Sequence, residues 1–212
     1  MKIKIPTLGF ALALGAALVQ PNLATAQSKK PTSVVSLAEM KNQLTRLQAD
    51  VSATVESLQQ VKESANNSAK LSQAAAKFSS QFAALEAQIA TVRTQAVVVK
   101  ALSKEHFEAW QKELATVQST TIREKAQERF TDTKEEFDKI IAKAEKAKKE
   151  ALPFVSEIKD ISIYLATDLS EDAVKSLSNT IWKLGNESRS VIGSIQDVNE
   201  QIDRTLKALP KK

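Results

Sequence analysis

Toward the C-terminus, apolar residues recur at alternating steps of three and four. Val174, Leu177, Ile181, Leu184, Ser188, Val191, Ile195, Val198, Ile202, Thr205 and Leu209 keep this rhythm without a slip, and only Ser188 and Thr205 are polar. A mean step of 3.5 residues places them all on one stripe of an α-helix, and such a stripe must be buried against other helices. Upstream, the same rhythm predicts a first helix carrying Leu37, Met40, Leu44, Leu47, Val51, Val55, Leu58 and Val61. Ser36 and Glu39 have the spacing of a capping box at its start. Asn66-Asn67-Ser68 marks its end, because these side chains bond to nearby backbone.

A second helix reads Leu71, Ala75, Phe78, Phe82, Leu85, Ile89, Val92, Ala96 and Val99. Its rhythm slips around Ser103 to His106 and resumes at Phe107, Trp110, Leu114 and Val117, which predicts a local change of winding or a short break. After a turn at Ser119-Thr120-Thr121, with Thr121 and Glu124 as a further capping box, a third helix carries Phe130, Thr133, Phe137, Ile140, Ala144, Ala147, Ala151, Phe154, Ile158, Ile161 and Leu165. Pro153 lies inside this pattern and lacks a backbone donor, so a kink is expected near Ala151. Thr167 to Ser170 forms the third turn. Ser170 is placed to cap the last helix, with Glu171 and Asp172 where the helix dipole favours acids. Gly185 and Gly193 fall inside that helix without disturbing its phase. The fold class is therefore all-α: about four long helices in an elongated antiparallel bundle, or coiled-coil hairpins, forming one domain over residues 36–212.

Composition removes the alternatives. Beyond residue 26 the only glycines are Gly185 and Gly193, and the only prolines Pro31, Pro153 and Pro210, too few turn-formers for a sheet protein. Residues 1–26 read as a signal peptide: Lys2 and Lys4, then an apolar run from Leu8 to Val19, then Ala24-Thr25-Ala26. That run is too short to span a bilayer as a retained anchor. Residues 27–35 read as a flexible leader. The expected location is periplasmic or secreted. There is no cysteine, which excludes disulfides, thiolate metal sites and a cysteine-linked lipid anchor. The net charge of +5 falls to +3 once Lys2 and Lys4 are removed, well short of a nucleic-acid binder.

Candidate chemistry is sparse. His106 is the only histidine, and neither a zinc site nor a histidine-based triad can be built from it alone. Glu128, Asp132 and Glu136 repeat at i, i+4 and i+8, but the Glu-x-x-His pairs of a two-metal bundle are absent, so a solvated acidic face is expected, with weak calcium binding as the alternative. No catalytic, cofactor-binding or metal residue is predicted. Lys143, Lys146, Lys148 and Lys149 form a basic run. It is either a solvated face with Glu135–Lys139 and Glu145–Lys149 ion pairs, or a surface for anionic lipid, cell-wall polymer or an acidic partner. The aromatic residues, Trp182 included, are expected in the core. Ala96 to Val99 is apolar all round, but far too short for a membrane-inserting tip.

Three stretches carry a family resemblance: Phe107-Glu108-Ala109-Trp110-Gln111-Lys112-Glu113-Leu114; Phe137-Asp138-Lys139-Ile140 onward to Pro153-Phe154-Val155; and Tyr164-Leu165 through Leu169-Ser170-Glu171-Asp172-Ala173-Val174-Lys175-Ser176-Leu177. From about Leu85 to the end, the chain resembles the bacterial family catalogued as domain of unknown function 2959. Its third turn has Asp168 and Ser170 where asparagine-like residues are typical, and both still serve as caps. The resemblance implies an exported or envelope-linked long-helix protein and assigns no catalytic residues. The expected role is non-enzymatic: a structural or protein-interaction protein of the bacterial envelope acting through coiled-coil surfaces. It would have a protein partner or self-associate, with peripheral membrane or cell-wall contact, no cofactor and no nucleic acid. The alternative is an extracytoplasmic chaperone or lipid-handling protein.

Overall fold

The computed structural model describes residues 32–209, and side chains from Ser36 onward. The signal peptide, the first part of the leader, and Pro210, Lys211 and Lys212 lie outside the described residues. Five helices follow one another: α1 (Thr32–Glu63), α2 (Ser68–Thr116), α3 (Thr120–Thr167), α4 (Glu171–Ser176) and α5 (Ser178–Ala208). No strand occurs among the described residues.

Cross-helix bonds fix the directions. Gln88 on α2 reaches the Gln43 carbonyl on α1, and Gln95 reaches that of Ser36, so α2 runs antiparallel to α1. Lys41 pairs with Asp203 and Gln48 with the Ile192 carbonyl, so α5 also opposes α1. Gln201 reaches Glu136, and Lys183 reaches Glu157, so α3 opposes α5. The result is an up-down-up-down bundle. α1 lies between α2 and α5, and α5 lies between α1 and α3.

The predicted stripes form one continuous core. Leu58, Val61, Leu85, Ile158, Val174, Leu184 and Ile202 are wholly or almost wholly enclosed. Every stripe position from Val174 to Leu209 is buried or half-buried, polar Ser188 and Thr205 included. At 1.5 Å per residue, α2 and α3, with 49 and 48 residues, reach about 72–74 Å, against about 47–48 Å for α1 and α5 with 32 and 31. The α2–α3 hairpin therefore outruns the other helices. Its two arms meet through the edge-to-face rings of Phe107, Trp110, Phe130 and Phe137.

Several expectations are corrected. α1 starts at Thr32, so Ser36 and Glu39 lie within it and do not cap it, and the leader is helical from Thr32. α2 does not break between Ser103 and His106, because Ser103 and His106 themselves turn inward and carry the stripe from Val99 to Trp110. At the preceding turn of α2 Ala96 is exposed, and half-buried Gln95 takes its place. α3 begins one residue before Thr121, with Ser119 at the cap position and no side-chain cap bond. Pro153 is exposed and α3 runs on past it to Thr167. The last helix is divided at Leu177 into short α4 and long α5, while Gly185 and Gly193 are continuous with α5. Trp182 is not core: it is 70% exposed. Position 182 follows buried Ile181 and precedes buried Leu184, so it lies about 100° off the stripe. Two caps stand as read. Asn67 accepts from the Lys70 amide to start α2, and Ser170 accepts from the Ala173 amide to start α4.

Candidate functional surfaces

His106 packs at the end of the core where α1 begins and α5 finishes. Its ring lies against Phe107 and Trp110, with centroids 5.7 and 5.8 Å away. With Leu37, Ser103, Phe107, Thr133, Phe137, Thr205 and Leu209 it lines a crevice of about 10 Å³. That is at most the room one water needs and too little for a substrate. Ser103 is 3% exposed on the same wall. Among the described residues, no hydrogen bond joins it to His106 and no carboxylate orients the imidazole. A nucleophile needs both, so this pair is packing rather than a charge relay.

Around the crevice the bundle interior is unusually polar. Gln43 bonds Glu39 and receives Gln88 on its side-chain oxygen and its carbonyl. Gln201, 2% exposed, donates to the Glu136 carboxylate at 2.7 Å, and Thr205 donates to the Glu136 carbonyl. Asn199 donates to the Thr45 hydroxyl at 3.4 Å, and its own Oδ1 is buried without a partner. Lys41 and Asp203 close this end at 2.7 Å. Such bonds hold only when the helices keep one axial register, because a slip strands buried polar atoms. The hydrophobic pattern does not reveal these residues. Their signal is glutamine and asparagine at positions beside a stripe, which in isolation reads as surface.

The predicted acidic face divides. Glu128 and Asp132 are exposed, but Glu136 is half-buried and turned to α5. Hydrogen bonds from Lys139 and then Gln201 hold its carboxyl below the usual range, and the same contact raises Lys139. No group of three or more metal-binding side chains occurs among the described residues.

The four lysines of the basic run do not share one face. Lys143 is half-buried, and Lys146, Lys148 and Lys149 are exposed. At 100° per residue they spread around α3. Two are paired with acids: Lys148 with Glu145 at 3.4 Å and Lys146 with Glu150 at 3.8 Å. The predicted Glu135–Lys139 and Glu145–Lys149 pairs are replaced by Glu136–Lys139 and Glu145–Lys148, one residue closer along the helix. No described helix is long and apolar enough to cross a membrane.

No curated protein and no solved structure matches the chain. The family model described as "Protein of unknown function (DUF2959)" matches residues 25–209, taking in α1 and the first half of α2 as well as the segments that carried the resemblance. The chain belongs to this family, whose full extent is the four-stripe bundle described above.

Proposed function

We propose that the protein works by binding rather than by turnover, as an exported structural or interaction protein of the bacterial envelope acting through its helical surfaces. The observation that carries this reading is the condition of its one histidine. His106 sits against two aromatic rings at a crevice of about 10 Å³, with no carboxylate or hydroxyl bonded to it among the described residues. The chain's chemistry lies instead on long outward helix faces. Export rests on the signal-peptide pattern of residues 1–26, with cleavage after Ala26.

The test is complementation of a gene deletion. His106→Ala and Ser103→Ala should each restore the wild-type phenotype in full. Loss of complementation by either variant, at wild-type level and with an unchanged melting curve, would overturn the binding reading. Reversing Lys143, Lys146, Lys148 and Lys149 to glutamate distinguishes a basic contact surface from a solvated one. A salt-sensitive loss of envelope association supports contact, and unchanged association assigns binding to other faces.

A further inference from the structure

α2 carries a second stripe. On the side away from α1, Ala76, Ser80, Ala83, Ala87, Ala90, Thr94, Val97 and Ala101 follow the same alternating steps of four and three as the core, and all are exposed. Val97 is 69% exposed and its neighbour Val98 41%. From Leu71 to Ser103 the helix is charged only at Lys77, Glu86, Arg93 and Lys100. An apolar heptad rhythm facing water contributes nothing to this chain's own packing; it is the seam of a coiled coil. Charge gives the seam its partner. Glu86 and Arg93 border the stripe on one edge, seven residues apart, and neither has an ion-pair partner among the described residues.

We propose that this face of α2 pairs antiparallel with the same face of a second copy, about a two-fold axis passing between Ala87 and Ala90. In that register Ala87 meets Ala90 of the other copy, Ala83 meets Thr94, Ser80 meets Val97, and Ala76 meets Ala101. Each layer then occurs twice by symmetry. Glu86 of each copy falls beside Arg93 of the other, so both unpaired charges are matched at once. On the opposite edge, the aliphatic stem of Lys77 covers Val98. A parallel pair would set Glu86 against Thr91 and Arg93 against Val98, leaving both charges without partners. The small side chains let the helix axes approach to the near end of the usual 8–10 Å, along about 38 Å of helix. The proposal deepens the binding reading by naming the partner as the chain itself.

Sedimentation of the purified protein tests it. The wild type should dimerise reversibly. Ala87→Glu/Ala90→Glu should be monomeric with unchanged helicity and melting, since both positions are exposed. Glu86→Arg and Arg93→Glu should each weaken the dimer by roughly tenfold, as two contacts turn from attraction to repulsion. The double exchange Glu86→Arg/Arg93→Glu should restore it. A wild type that stays monomeric up to millimolar concentration, or a double exchange that fails to restore pairing, overturns the proposal. Complementation by the monomeric variant separates the two ideas: it would remove self-pairing from the function and leave binding to another partner standing.

Discussion

Ile195→Asp is the most direct test that the C-terminal stripe is the centre of the bundle. Ile195 is 3% exposed, on α5 where it faces both α1 and α3. Removing its aliphatic side chain costs about 2–5 kcal/mol as a core truncation. A carboxyl in the same space adds roughly 1–3 kcal/mol for an unsatisfied polar group. The sum is a large share of a typical total of about 5–15 kcal/mol. Helix propensity hardly enters, since isoleucine and aspartate lie close on that scale. The cost also has a pH signature. Burial raises the carboxyl's pKa in the folded state, so folding at neutral pH requires it to take up a proton. The deficit against wild type should shrink as pH falls through the ordinary aspartate range, where the group is neutral in both states. Urea unfolding followed by circular dichroism, at neutral and acid pH, measures both effects. Ser190→Asp, exposed on the same helix, is the control and should stay within about 0.5 kcal/mol of wild type. If Ile195→Asp loses less than about 1 kcal/mol, or if its deficit ignores pH, the stripe is not buried as described.

Gly193→Ala should stabilise by roughly 0.5–1 kcal/mol, because an added Cβ meets nothing within 4 Å and the backbone is helical. Gly185→Ala should gain less in the same urea titration, since its Cβ would stand 3.2 Å from the Gln59 amide nitrogen. The Glu136 carboxyl is held low when folded, so its contribution is present above the ordinary glutamate range and is lost as pH falls through the lowered value. Glu136→Ala should flatten that part of the stability–pH curve, and an unchanged curve would show that the Gln201 and Lys139 contacts are not maintained. Trp182→Ser should shift the melting temperature little while removing one of two tryptophan signals, because the ring is 70% exposed; a loss of several kcal/mol would place the ring in the core.

The fold was legible because a 3.5-residue rhythm makes the same statement at every turn of helix. Leu58, Phe78, Ile158 and Ile202 are each enclosed where that rhythm places them. Misreadings arose where a single residue was weighed by type. Trp182 is bulky and aromatic, yet its angular position puts it outside. Ser103 and His106 are polar, yet theirs puts them inside, and the apparent slip in α2 is only a run of polar residues on an unbroken stripe. Helix starts depended on tertiary context: Ser36 has capping chemistry, but α1 continues back to Thr32. The polar contacts among Gln43, Gln88, Asn199, Gln201 and Glu136 join helices more than 40 residues apart in sequence, and no local pattern encodes such pairings.

The order of the helices in space also sets an order in time. α1 with α2, and α3 with α5, are neighbours in sequence, and each pair closes through a short turn or, between α3 and α5, through little α4. The α1–α5 contact is different: Lys41 and Asp203 are separated by 162 positions. Loop closure is entropically dearer the longer the loop, and non-local contacts form only after that loss has been met. The two hairpins should therefore acquire protection from hydrogen exchange before the α1–α5 seam does, and in the folded protein the seam should be the plane along which the first large opening occurs. Its opening would separate two nearly intact helical pairs, each baring one side of the core stripes, and would leave the outward face of α2 as it was.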